Sequence, residues 1–98
     1  KNMYFLRKQE KGYNFYKENS GRKTQLINTE NLLELIVTIE LNVKKERDDI
    51  DFTFENISES EVSVLDNVLS HNGYKPCWSL SHSGLNNNLT KRKGYERK

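Results

Sequence analysis

Ile50-Asp51-Phe52-Thr53-Phe54-Glu55-Asn56-Ile57-Ser58-Glu59-Ser60-Glu61-Val62-Ser63-Val64-Leu65-Asp66-Asn67-Val68-Leu69-Ser70-His71-Asn72-Gly73-Tyr74 is the stretch on which the fold turns. Ile50, Phe52 and Phe54 alternate with Asp51, Thr53 and Glu55, the period of a half-buried strand. Asn56-Ile57-Ser58 breaks the alternation, and a helical period follows from Ser58 to Asn72. Ser58 and Glu61 stand at capping-box spacing, where hydroxyl and carboxylate satisfy each other's end-turn amides. Val62, Val64, Leu65, Val68 and Leu69 are the expected buried stripe. His71 falls in the last turn, and Gly73 supplies a left-handed cap. The unit therefore reads strand, helix, turn.

Downstream, Tyr74 to Ser81 reads as a further strand. Pro76 donates no ladder hydrogen bond, which places it at a sheet edge or a strand start. If Ile50–Phe54 and Cys77–Leu80 share a sheet, the helix between them is a right-handed crossover. From Gly84 onward only Leu85 and Leu89 offer apolar surface. Residues 85–98, with Asn86-Asn87-Asn88 and Lys91-Arg92-Lys93, are expected to be a basic polar tail on a single domain of residues 1–84.

Upstream, Met3–Leu6, Tyr13–Lys17 and Thr24–Ile27 are short aromatic or β-branched runs. Gln9–Gly12 and Asn19-Ser20-Gly21 separate them with turn chemistry. Three such runs with tight connections make an antiparallel meander. Thr29 is a candidate N-cap followed by Glu30. Leu32, Leu33, Leu35, Ile36 and Ile39 then share a helical side, with Val37 and Leu41 off it. A helix from Glu30 to Glu40 is the preferred reading. A strand is the alternative, because Leu35, Val37, Ile39, Leu41 and Val43 also alternate; it would pair with Ile50–Phe54 across the charged loop Lys44–Asp49. The expected architecture is α+β: meander, helix, strand, helix, strand, with the helices on one face of a small mixed sheet.

Ninety-eight residues suit one domain with one core. The chain is polar, with 34% hydrophobic residues and a mean hydropathy of −0.92, but the apolar residues come in periodic blocks and so belong to a folded chain. No apolar run approaches the roughly 18 residues of a membrane span. There is no alanine, and lysine and asparagine are abundant, a usage associated with AT-rich genomes. The chain begins at Lys1, as a processed form or a piece of a longer protein would. One cysteine, Cys77, excludes an internal disulfide, and a lysine-rich unstapled domain fits the cytoplasm.

Nothing in the sequence builds a reaction centre. A nucleophile needs a base and an orienting group; Cys77, His71 and His82 are the only candidates, and Cys77 and His82 fall on opposite sides of one strand. Two histidines and a cysteine are too few for structural zinc. Phosphate-loop, dinucleotide and nucleophile-elbow signatures are missing. Asp48, Asp49 and Asp51 suggest a magnesium site, but Lys44, Lys45 and Arg47 beside them favour a solvated loop. The expectation is a non-enzymatic protein without metal or cofactor.

Charge is segregated along the chain. Residues 1–25 carry seven Lys/Arg against two acids, residues 26–85 four against eleven, and residues 86–98 five against one. Such asymmetry speaks to partners. An acidic surface of Glu46, Asp48, Asp49, Asp51 and Glu55 would dock on a basic groove, as a phosphate backbone does. In size, charge and composition the chain is similar to small phage inhibitors of nucleic-acid-handling enzymes, the anti-CRISPR proteins among them. That likeness implies an inhibitor or adaptor whose partner is a nucleic-acid-processing protein. The alternative is direct nucleic-acid binding, with aromatics stacking on bases and cations on phosphates. Its residues would be Arg7, Lys8, Lys11, Tyr13, Tyr16, Arg22 and Lys23 of the first hairpin, with Lys91, Arg92 and Lys93 of the tail.

Overall fold

The three aromatic runs become strands β1 (Asn2–Gln9), β2 (Gly12–Asn19) and β3 (Arg22–Thr29), paired antiparallel in sequence. Gly12 closes the first turn at φ 110°, and a Cβ there would lie 2.5 Å from the Thr29 carbonyl oxygen. Ser20 and Gly21 both take positive φ, as a two-residue hairpin turn with the native twist requires. The computed structural model describes residues 2–81 and 90–98. His82, Gly84 and the Leu85–Leu89 part of the expected tail lie outside the described residues.

The ambiguous run is helical: α1 spans Leu32–Val43. Leu35, Ile39 and Val43, four residues apart, reach the core as one row. Its N-cap is Asn31, not Thr29, and Asn31 Oδ1 accepts the Glu34 amide at 3.1 Å. Thr29 closes β3 instead; its hydroxyl accepts the Asn31 N–H at 3.0 Å and donates to the Glu34 carboxylate. The helix therefore starts later and ends later than the sequence reading placed it. Leu32 and Leu33, expected on the buried side, are exposed. Leu33 sits about 160° round the helix from Leu35, so both cannot face one sheet.

Strand β4 (Ile50–Glu55) pairs parallel with β1, bringing Phe52 beside Tyr4 and Phe54 beside Leu6. Helix α2 (Glu59–His71) follows with the complete Ser58–Glu61 capping box. Val62, Leu65 and Leu69 are its buried row, whereas Val64 points outward, a correction to the wider stripe read from sequence. Gly73 ends the helix at φ 89°.

Strand β5 (Tyr74–Ser81) is an edge strand, as Pro76 demands. Residues 90–98 are not a tail. Thr90–Arg97 is strand β6, inserted antiparallel between β4 and β5 to give the order β3-β2-β1-β4-β6-β5. Its single apolar anchor, Tyr95, is fully buried. Its cations are held by acids elsewhere in the fold: Arg92 by Asp51 at 3.4 Å and Lys93 by Asp66 at 2.8 Å. A strand whose lysine stems cover apolar neighbours while their heads find carboxylates needs few apolar residues. One core joins both helices to Tyr4, Phe15, Phe52, Phe54, Tyr74 and Tyr95. Both helices therefore share one face of the sheet.

Glu61 fastens α2 to the first hairpin. Beyond the capping box it accepts the Tyr13 hydroxyl at 2.5 Å and Lys8 Nζ at 3.2 Å. Burial alone would raise the Glu61 carboxyl, but the hydrogen bonds from Tyr13, Ser58 and Lys8 prevail and hold it down at about 2. Burial, with the carboxylate beside it, pushes the Tyr13 phenol up to about 12. The folded Glu61 value lies below the unfolded value of 4.5, so its contribution is present above that pH and lost as pH falls towards 2. The full contribution is on the order of 2–3 kcal/mol. Denaturation of the native chain and of Glu61→Gln checks this: the stability gap should narrow from about pH 6 to about pH 3. A gap constant over that interval would contradict the role given to Glu61.

Candidate functional site

The strand alternation that sends Tyr4, Phe15, Phe52 and Tyr95 to the helices sends the intervening side chains to the opposite face. Residues paired across strands share a face. Phe5 and Arg7 of β1, Asn14 and Tyr16 of β2, Lys23 of β3, Asp51 and Glu55 of β4, Arg92 and Gly94 of β6 and Trp78 of β5 therefore share it. Among the described residues no helix covers this face.

Its aromatic residues lie under cations. Phe5 is buried beneath the Arg7 guanidinium, 5.2 Å from the ring centroid, and Lys23 Nζ at 4.8 Å, with Tyr16 edge-on at 5.8 Å. At the other end Trp78 keeps 38% of its surface exposed, with the Arg92 guanidinium 5.6 Å from its ring. The indole lies directly over Gly94; a Cβ there would fall 2.2 Å from Nε1. Gly94 is thus a glycine because the tryptophan occupies its side-chain space. A register shift between Pro76 and Trp78 marks a bulge at Cys77, which re-aims the indole onto this face.

The charges of the face cancel. Arg7 Nε meets Glu55 at 3.3 Å, Arg92 meets Asp51 at 3.4 Å, and Lys75 meets Glu96 at 3.3 Å. Lys23 stands opposite Glu18 in the β2–β3 ladder. Each cation has an acid on a neighbouring strand. The Arg7–Glu55 and Lys75–Glu96 pairs are partly solvated and of small individual worth, Asp51 is the buried member of its pair, and together they leave the face nearly neutral and orient its arginines.

The acids expected to form one docking surface do not do so. Glu46 is 5% exposed and Asp51 4%, so both belong to the interior. Glu46 accepts Asn2 Nδ2 and the Tyr4 hydroxyl and pairs with Lys17 at 3.3 Å. Glu55 is tied to Arg7. Asp49 accepts the Arg97 amide at 3.0 Å and, with Asp48, remains on the surface. A buried carboxylate must be paired, and the cations that meet this need come from strands distant in sequence.

The ten residues of the nucleic-acid alternative are likewise divided. Arg7, Tyr16, Lys23 and Arg92 share the open face. Lys8 and Tyr13 are engaged by Glu61 on the helix side, and Lys93 by Asp66. Lys11 is in the first turn and Arg22 at the exposed start of β3. Lys91 lines a cleft of about 240 Å³ between α2 and strands β5 and β6, with Glu59, Ser63, Asp66 and Ser79. Sequence reasoning missed Trp78 and Gly94 as a unit. The available signal was one tryptophan on an edge strand and one glycine inside a run of strand residues, which often marks a close approach.

Tyr95 is fastened by the same polar pattern that holds Tyr13: its hydroxyl donates to Asp66 at 2.7 Å, and burial with that carboxylate raises its phenol strongly. Cys77 is exposed, and His71 Nδ1 is within 2.7 Å of the Asn67 carbonyl oxygen. Among the described residues no group of three or more His, Cys, Asp or Glu is placed to hold a metal ion, and no helix is long and apolar enough to cross a membrane. Searches of protein-family models, curated proteins and solved structures returned no significant match to this chain.

Proposed function

We propose that this chain is a non-catalytic binding domain that docks a partner protein through its open sheet face, with the Trp78 indole as anchor. The observation that carries the reading is the seat of Trp78: a large aromatic half-exposed at a sheet edge, held flat on Gly94 and flanked by an oriented arginine. Tryptophan, tyrosine and arginine dominate protein-interface energetics, and rigid side chains lose little entropy on docking. The cancelled charges favour a protein over a nucleic acid, because neutralised cations release few counterions from a phosphate backbone. With Glu46 and Asp51 inside the fold, a phosphate-mimicking strip loses two of its five carriers. The proposed partner is accordingly not restricted to nucleic-acid-handling proteins, and inhibition by Asp48 and Asp49 alone is a narrower proposal within this one.

The test is capture from lysate of the source cells after nuclease treatment, with the native chain, Trp78→Ala and Gly94→Val. The native chain should retain a defined protein partner. Removing the indole should weaken binding about thirtyfold or more, and Gly94→Val should do the same by displacing the indole. Capture indifferent to both changes would remove the open face from the reading. Stacking of single-stranded nucleic acid on Trp78 and Tyr16 is a second reading, favoured by the paired cations and rings. A low-salt oligonucleotide titration that shifts at micromolar protein and fails in Trp78→Ala would put it first.

A further inference from the structure

Helix α2 and strand β6 face each other across a cleft, and the two walls carry opposite charge. The helix wall presents Glu59 and Asp66, two turns apart on one side of α2. The strand wall presents Lys91 and Lys93, which share the helix side of the sheet with their ladder partners Phe54 and Phe52. The inner rung between the walls is closed, because Lys93 Nζ meets Asp66 at 2.8 Å. The outer rung is open. Glu59 and Lys91 line the same cleft, yet among the described residues neither forms an ion pair or a side-chain hydrogen bond. Two hydroxyls are also uncommitted among the described residues. Ser63 stands between Glu59 and Asp66 on the helix, and Ser79 stands opposite Lys93 in the β5–β6 ladder. Phe54 and Val62 make an apolar floor.

We propose that this cleft binds a free α-amino acid, whose carboxylate meets Lys91 and whose ammonium meets Glu59, completing the outer rung. The two acids and two lysines of the walls sum to zero, so a ligand of one sign gains little from the cleft as a whole. The acidic wall opposite the basic wall nevertheless sets a field across the gap, and that field aligns a ligand carrying both signs. A simple anion would engage Lys91 and leave Glu59 unmatched; a simple cation would do the reverse. The Ser63 and Ser79 hydroxyls can each donate or accept, so they serve either end of such a ligand. The cleft holds about 240 Å³, less than the roughly 300–1,000 Å³ of sites for drug-sized molecules. A small ligand is therefore required, and the floor of Phe54 and Val62 favours an aliphatic side chain such as that of leucine. Contacts to partly solvated charges are individually small, so binding belongs to the weak, reversible range. The cleft lies on the helix side of the sheet, opposite the Trp78 indole, so the proposal stands whether or not the open face docks a protein.

Titration of the isotope-labelled native chain with L-leucine, followed by backbone amide NMR shifts, decides it. The shifts should saturate, centre on Ser63, Ser79 and Lys91, and give a dissociation constant of about 1 mM or tighter. N-acetyl-L-leucine lacks the ammonium and L-leucine amide lacks the carboxylate. Each should bind about tenfold more weakly than L-leucine, since each loses one charge-assisted contact. Lys91→Gln and Glu59→Gln should each weaken L-leucine by about fivefold or more, whereas Trp78→Ala should leave it unchanged. No saturable shift up to about 10 mM L-leucine would overturn the proposal. So would blocked forms that bind as tightly as the zwitterion, or an affinity that survives both the Lys91 and the Glu59 changes. Neither substituted side chain is buried in the core, and an unchanged amide spectrum away from the cleft confirms that each variant is folded.

Discussion

Phe52→Ala is expected to destabilise the domain by about 3–5 kcal/mol. Domains of this size have about 5–15 kcal/mol in total, so much of the folded population would be lost near the upper end of the physiological temperature range. Phe52 lies in the middle of the central strand, fully buried. Its ring stacks on Tyr4 at 5.3 Å and Phe54 at 5.5 Å, reaches Phe15 at 6.1 Å, and meets the edge of Tyr95 at 5.7 Å. Those partners come from β1, β2 and β6 as well as its own strand. Stacked and edge-on aromatic pairs contribute beyond their buried area. The hole left by alanine has a strand on each side and the helices above, so the surroundings collapse poorly and the cavity term is large. Urea denaturation checks it. The midpoint should fall with the slope nearly unchanged. A loss below about 1.5 kcal/mol would mean that the ring is not the centre of the core.

The stretch that positions Phe52 was legible because each of its signals is local. Ile50, Phe52 and Phe54 alternate, Ser58 and Glu61 satisfy neighbouring amides, and Gly73 relieves a left-handed turn. Each requires only residues within a few positions. The same holds for the edge position of Pro76. What remained illegible depends on distant partners. Strand β6 carries one buried apolar residue, so its pattern resembles a solvated tail until Asp51 and Asp66 are seen to hold Arg92 and Lys93. The outward row of α1 was visible as leucines and valines, but composition could not say which stripe met the sheet. In the fold it is the row of Leu35, Ile39 and Val43 that enters the core. At the candidate site, Arg7, Tyr16 and Lys23 could be picked out as residue types. Their grouping with Trp78 and Arg92 needed the strand order, because β1 and β6 flank β4 from opposite sides.

Glu46→Ala is the sharper test of that long-range logic. Between Lys45 and Arg47, in a run of charges, Glu46 looks like solvated loop. In the fold it is the point where the loop after α1 is fastened to the first hairpin. Asn2 and Tyr4 of β1 donate to it, and Lys17, the ladder partner of Tyr4 on β2, pairs with it. Burial, reinforced by this carboxylate, raises the Tyr4 phenol strongly, so Tyr4 stays a hydrogen-bond donor across the ordinary pH range. Removing the carboxylate leaves a buried hydroxyl and an amide without their acceptor and opens space beneath the loop. Breaking a buried pair typically costs about 3–5 kcal/mol. Lys17 can turn to water, since about a third of its side chain is exposed, so a loss of about 2–3 kcal/mol is expected. Glu46→Gln, which keeps one acceptor and the volume, should lose less. Asp48→Ala, two residues on and at the surface, should stay within about 0.5 kcal/mol. Salt should barely change the Glu46 effect, because buried pairs are weakly screened. Equal, small losses for Glu46→Ala and Asp48→Ala in urea would return Glu46 to the surface and restore it to the acidic docking strip.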